Sequence, residues 1–286
     1  MLKSAFSINR RENYIATELG DTTGHGSDVL EILGYFAQNA EFNLYRVIAR
    51  NGKAKRSNIA DAVADASQHG IDLLNLSVGV FHARDEDHDC GGNCTIASET
   101  KLAIEAGTTV VVANGNRGSD DTKASHFPAL IDESIGVGGF VSRCTAPLLD
   151  HRDSGQYWIR SSELDGPYCG QRGCESSRSC SEHRFEQPWR GNVSFHNAAP
   201  DVLAPVHTPV RTDTGPLLQK GTSFGTPVVV GLLACILGDL LELGARPSPS
   251  AIRNAVRTGA TEIDEGPIPK FDAQETWSLL ETERYE

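Results

Sequence analysis

The chain is poor in lysine: only seven stand among its 26 basic residues, against 38 acidic ones. With a formal charge of −12 it offers no basic surface for phosphates, so nucleic acid is not an expected partner. A long hydrophobic run is also missing. The longest apolar stretch, Val228 to Leu237, is half of the roughly 20 residues that cross a bilayer. The opening MLKSAFSINRRENY has no apolar centre of the kind a signal peptide needs. These residues predict no membrane span and no export signal. The location stays open: extracellular if an upstream signal or pro-segment is missing, otherwise cytoplasmic. The low-hydrophobicity signature of a disordered chain is absent too: 39% of residues are hydrophobic and 22% charged, which predicts a packed globule. At 286 residues one domain is expected.

Cysteine is present in an odd number, seven. Cys235 lies within an apolar helix pattern and is expected to pack as a small hydrophobe. The other six (Cys90, Cys94, Cys144, Cys169, Cys174 and Cys180) fall in polar, Gly-rich segments, where disulfides or a metal are the two readings. Cys90 and Cys94 are close enough for a local disulfide. Cys169, Cys174, Cys180 and His183 fit no common zinc spacing, so disulfides are favoured and no metal site is assigned.

From residue 43 onward strand-like and helix-like runs alternate, the pattern of a parallel sheet with helices on both faces. Asn43 to Ala49 reads as a strand. Ile59, Ala62, Val63 and Ala66 mark the buried face of a helix. Ile71 to Leu76 is the next strand, followed by a polar loop from Phe81 to Asn93. A helix over Thr95 to Glu105, ended by Gly107, leads to the three-valine strand Thr108 to Ala113, which must be central. Ile135 to Phe140 is a further strand. Periodicity is lost over about residues 141–198, a Cys-rich insertion within the single domain 1–286. Pro200 to Pro205, a long helix from about Ser223 to Leu243, a Ser248-capped helix and an amphipathic segment with Trp277, Leu279 and Leu280 complete the chain.

Three segments carry chemistry. Ser223, in Gly221-Thr222-Ser223-Phe224-Gly225-Thr226-Pro227, stands at a helix start. There a hydroxyl meets the positive end of the dipole, and free N–H groups can stabilise an oxyanion. Pro227 is read in that helix's first turn, and an N-cap role for Ser223 is the competing reading. His25, in Asp21-Thr22-Thr23-Gly24-His25-Gly26-Ser27-Asp28, can project from another helix start as a general base. Asn116 follows the valine strand in a Gly-rich turn, at a position suited to donating to an oxyanion. The remaining histidines (His69, His82, His88, His126, His151, His196 and His207) are expected to be solvated loop residues.

In this order, the three segments resemble the motifs of the subtilisin-like serine peptidases, the subtilases: G-T-S-[MF]-[AS]-T-P around the serine and H-G-[TS] around the histidine. Asn75-Leu76-Ser77-Val78-Gly79 is similar to the family's substrate-pairing strand edge, Pro200 to Pro205 to its P-D-V-x-A-P, and Phe271 to Gln274 to its closing V-D-A segment. The resemblance runs from about residue 21 to 280 around the insertion. It implies a doubly wound α/β fold and a serine endopeptidase acting on polypeptide. Ser223 would be the nucleophile, His25 the general base and Asn116 the oxyanion donor. Ser77, Val78 and Gly79 would pair with the peptide, and Ala113, Asn114 and Gly115 would line the pocket for the residue before the scissile bond. No cofactor is required by this chemistry, and no calcium ligand set is readable.

Gly225, Val228 and Asp28 depart from the family's Ala or Ser, His and His without removing a chemical step. The larger departure is the triad acid. Subtilases carry it on a D-[ST]-G strand thirty or more residues before the histidine, and 24 residues precede His25 here. Asp21 matches a commonly acidic position of the histidine motif and is a poor substitute. The expectations are a truncated chain, an acid supplied by another chain, or a peptide-binding pseudoenzyme. The first is favoured, because a core strand is missing together with the acid.

Overall fold

The computed structural model describes residues 2–9, 12–15, 21, 23–48, 54–83, 94–115, 124–129, 131–141, 189–190, 200–205, 207–212, 215–263 and 266–283. Alternation of strands and helices gives the expected layers. The strands are β1 Leu2–Asn9, β2 Glu12–Ile15, β3 Phe42–Arg46, β4 Leu73–Leu76, β5 Val80–Ala83, β6 Thr109–Ala113 and β7 Ala124–Phe127. They continue with β8 Ile135–Val141, β9 Trp189–Arg190, β10 Val202–Pro205, β11 His207–Thr212, β12 Gly215–Lys220, β13 Thr261–Ile263 and β14 Gly266–Lys270. The helices, numbered in chain order, are α1 His25–Phe36, α2 Arg56–Gln68, α3 Thr95–Glu105, α4 Thr222–Glu242, α5 Pro249–Thr258 and α6 Ala273–Glu283.

The main sheet runs β13-β14-β10-β8-β6-β4. Its β14-β10-β8-β6-β4 part is parallel, while β13 and the short β9 add antiparallel edges. All five residues of β6 are buried, as a strand covered on both faces requires. Its side chains alternate between two cores. Val111 joins Val29, Ile32 and Leu33 of α1 and the apolar stripe of α4, whereas Val110 and Val112 join Val63 and Ala66 of α2 and Ala103 of α3. Each fully buried Val or Leu contributes about 1.5–3 kcal/mol, so the two faces are the main source of stability.

α4 is hydrophobic on nearly every side because it packs against α1, α6 and the strands of the sheet. By length and composition this 21-residue helix also suffices to cross a membrane, yet 67% of its most apolar window is buried within the fold. Its packing on α1 is close: a Cβ on Gly231 would lie 2.7 Å from Phe36 Cβ. Cys235 is on the exposed side of α4, with its thiol donating to the Phe36 carbonyl, so the expected core packing of this cysteine is corrected. The helix pattern placed it correctly in sequence, but α4 turns that position outward.

Local chemistry sets several boundaries. Gly107, at φ 104°, ends α3 with Thr108 N–H bonded to the Ala103 carbonyl at 3.0 Å, a reversal that feeds the chain into β6. Ser248 caps α5 by accepting from Ala251 N–H at 3.2 Å, as its Ser-Pro start predicts. Residues 81–83, read as loop from sequence, belong to β5, whose antiparallel pairing with the distant β7 places His82 and His126 in strands, and His207 opens the β11-β12 hairpin. Cys94 carries a thiol at the start of α3 and packs against Ile59, Ala60 and Ile96. Among the described residues no disulfide is present, and Cys90, the expected partner of Cys94, lies outside them. Cys90, Cys144, Cys169, Cys174, Cys180 and His183, with most of the insertion, lie outside the described residues, as do His88, His151 and His196.

One discontinuity bears on the site. β3 pairs in parallel with β1, which pairs with β2, and this three-stranded sheet is separate from the main one. Yet β3 and β4 serve the same two cores. Phe42 and Leu73 pack on one, while Tyr45 packs with Leu74 and Leu76 on the other. All five residues of β3 are only half-buried, unlike those of β6.

Candidate active site

The C-terminal ends of parallel strands and the N-termini of the helices behind them meet at one edge of the main sheet. β4 and β6 pair in register as far as Leu76 opposite Val112, so Ser77–Gly79 and Ala113–Gly115 run on from adjacent strands. The first trio is half-buried and the second buried.

Gly221 turns the chain into α4 with φ 123°, a conformation suited to glycine. Gly221 is the cap residue, and Ser223 is the second residue of the helix. The N-cap reading of Ser223 is thus corrected: its hydroxyl caps nothing, and donates across 3.2 Å to the Ser77 carbonyl. Thr222 next to it exchanges hydrogen bonds with Gly115, accepting from its N–H at 3.2 Å and donating to its carbonyl at 3.3 Å. These contacts bind the turn after β6 to the serine motif, 107 residues away.

His25 opens α1 behind Gly24, whose φ of 75° makes the sharp entry. Its ring lies 5.3 Å, centroid to centroid and tilted by 51°, from the ring of Phe224, the residue after Ser223. Burial lowers the imidazole pKa below its ordinary 6.5, with Asp21 and Asp28 opposing. The ring is therefore neutral at pH 7 and able to accept a proton. Among the described residues no hydrogen bond joins it to Ser223 or to a carboxylate.

Asp21 is engaged elsewhere. One carboxylate oxygen accepts from Thr23 N–H, Thr23 Oγ1 and Gly24 N–H at 3.0, 3.1 and 3.0 Å, and the other from Ser27 N–H and Oγ at 2.8 and 3.0 Å. Partial burial raises its pKa, but the bonds from Ser27 and Thr23 outweigh this and bring it to about 2. Gly26 leaves the carboxylate room, since a Cβ there would lie 3.4 Å from Oδ2. Asp28 accepts from Gln219 Nε2, which ties the histidine's helix to β12, just before the serine motif.

Sequence reasoning missed two features. Asp201, half-buried, accepts from Gly136 N–H at 2.7 Å and pairs with Arg253 at 3.1 Å and Arg257 at 3.3 Å, joining β8, the start of β10 and α5. Burial raises its pKa while Gly136 and the two arginines draw it back. The second is the Ser77 side chain, whose hydroxyl donates to the Ser223 carbonyl at 2.7 Å. Asn116 lies outside the described residues. Among the described residues there is no cluster of three or more His, Cys, Asp or Glu side chains able to hold a metal.

A parallel sheet that brings the serine motif at one helix start against a histidine at another is the architecture of the subtilisin-like serine peptidases. The chain belongs to the subtilase family, whose profile it matches over residues 9–273. It is 24% identical to subtilisin DY of Bacillus licheniformis over 266 residues, which cover 92% of this chain and 76% of that protein. It is 31% identical to a thermophilic serine proteinase of Bacillus sp. strain AK1 over 128 residues, 41% of this chain and 29% of that one. In fold it is similar to a lanthipeptide protease (TM-score 0.63, 15% identity, 98% of this chain and 81% of that one). It is also similar to a cold-adapted subtilisin-like serine proteinase (TM-score 0.59, 20% identity, 93% and 79%).

Proposed function

We propose that this chain is a serine endopeptidase that cleaves extended polypeptides by acyl transfer through Ser223 and His25. The observation that carries this reading is the ring contact of His25 with Phe224, which joins two motifs 199 residues apart. The hydrogen bond from Ser223 Oγ to the Ser77 carbonyl is the resting arrangement. For attack, the hydroxyl turns to His25, which takes its proton as Oγ bonds to the substrate's carbonyl carbon. The first N–H groups of α4 and the Asn116 amide stabilise the oxyanion. Collapse of the tetrahedral adduct expels the amine, which receives the proton from His25. Water then attacks the acyl-enzyme, His25 again taking and returning a proton, and the acid product leaves.

An extended peptide would pair with the backbone of Ser77, Val78 and Gly79, with the side chain before the scissile bond against Ala113, Asn114 and Gly115. Maturation proteases among the structural neighbours, such as the prenylagaramide maturation protease PagA, are consistent with a polypeptide substrate. The chemistry requires no cofactor.

A second reading is favoured by one specific observation. With the Asp21 carboxylate spent on five hydrogen bonds at the start of α1, no described carboxylate orients His25. Loss of the acid from such a triad costs about 3 × 10⁴ in kcat, which leaves a peptide-binding protein with residual turnover at most. Treatment with a fluorophosphonate, with the adduct located by mass spectrometry, separates the two. Modification of Ser223 supports the peptidase; an unmodified Ser223 together with peptide affinity that survives Ser223→Ala supports the binding protein.

A further inference from the structure

Pro227 is the sixth residue of α4, deeper than the first-turn position expected from sequence. In an α-helix the N–H of residue 227 would bond to the carbonyl of residue 223. Proline has no N–H, so the backbone of the serine itself is deprived of its helical donor. The gap is filled from outside the helix: Ser77 Oγ donates to the Ser223 carbonyl at 2.7 Å. The direction of that hydroxyl is fixed as well, because Asn75 Nδ2 donates to Ser77 Oγ at 3.0 Å and leaves its proton for Ser223. The Ser77 carbonyl in turn receives the Ser223 hydroxyl. One residue at the end of β4 thus grips Ser223 at both its main-chain and side-chain oxygens.

We infer that Ser77 is a positioning residue for Ser223, its hydroxyl replacing the N–H that Pro227 lacks. This rests on the reading of Ser223 as nucleophile. Without the Ser77 hydroxyl, the Ser223 carbonyl is left without a donor at the point where Oγ must be held within reach of His25. The residue acts through Ser223 and performs no step on the substrate.

The test is a compensating pair. In Ser77→Ala, the rate constant for fluorophosphonate modification at saturation falls about tenfold, the size of one hydrogen bond, while the half-saturating concentration stays within about twofold. Pro227→Ala restores an N–H at residue 227, so Ser77→Ala/Pro227→Ala recovers to within about threefold of the parent. Ser77→Thr, which keeps the hydroxyl, stays near the parent. An unchanged rate in Ser77→Ala overturns the inference, as does a double variant that regains thermal stability but stays as slow as Ser77→Ala. Amide hydrogen exchange over residues 224–230 gives an independent reading. If the parent is not modified at all, the assignment of Ser223 as nucleophile has failed. Faster exchange in Ser77→Ala that is reversed in the double variant then still supports the Ser77 linkage, and unchanged exchange refutes it.

Discussion

The two halves of the site are held to different degrees. On the serine side, β6 is buried along its whole length, Gly115 and Thr222 share two hydrogen bonds, and Ser77 binds both oxygens of Ser223. On the histidine side, β3 is half-buried throughout and belongs to a separate three-stranded sheet. His25 there is held by its helix, by Phe224 and by a 3.3 Å bond from its own N–H to Thr23 Oγ1. The difference teaches which part of catalysis each half can supply. Presentation of the Ser223 hydroxyl, the proposed nucleophile, beside the first N–H groups of α4 is built in. Orientation of the imidazole, which in a triad falls to a carboxylate on its second nitrogen, is not supplied by the described residues.

Four substitutions sharpen or break this comparison. The largest effect is expected from His25→Ala: if the ring serves as base, fluorophosphonate modification of Ser223 slows by about 10³-fold. A loss below tenfold would show that the histidine side contributes nothing. Next is Asp201→Ala on the serine side. Leaving Arg253 and the Gly136 N–H without their buried partner is expected to destabilise the fold by about 3 kcal/mol, read by chemical denaturation. A change near zero would show that this side is less tightly built than its hydrogen bonds indicate.

Gly231→Ala drives a Cβ against Phe36 and forces α1 from α4, for about 1–3 kcal/mol of lost stability. Because this contact is one of those that join the two halves, the modification rate should fall with it; stability lost without any change in rate would separate the halves. The smallest effect belongs to Asp21→Asn. Exposure limits the loss to about 1 kcal/mol of helix-start stabilisation. That contribution is present above the carboxyl's ordinary 3.8 and disappears as pH falls towards about 2, so parent and variant should converge at low pH. The modification rate should remain within about twofold, whereas a loss approaching 10³ would make Asp21 the triad acid after all.

The layered fold was legible because its signals are local and repeated. The alternating runs, the valines of β6 and the Ser-Pro and Gly boundaries of α5 and α3 each determine their own neighbourhood. The small antiparallel pairs were not, since β5-β7 and β11-β12 among the described residues join short segments without apolar alternation. In the site, Ser223, His25 and the Ser77 strand edge could be read from motifs. The grip of Ser77 could not, because it depends on a register between β4 and α4 that no local pattern encodes. Its trace in sequence is a proline four residues after the serine, a spacing that identifies the carbonyl left without a donor. Asp201 escaped notice for a similar reason, as its arginines lie 52 and 56 residues further along the chain.

The central claim is that a neutral His25 activates Ser223, and the pH dependence of covalent modification tests it most directly. With a fluorophosphonate and the adduct located by mass spectrometry, the account predicts modification at Ser223. Its rate should fall with a single midpoint below 6.5, the ordinary histidine value, as pH is lowered, and reach a plateau by neutral pH. A folded protein with no adduct at Ser223 would contradict the account, and so would an adduct whose rate climbs through alkaline pH without a plateau.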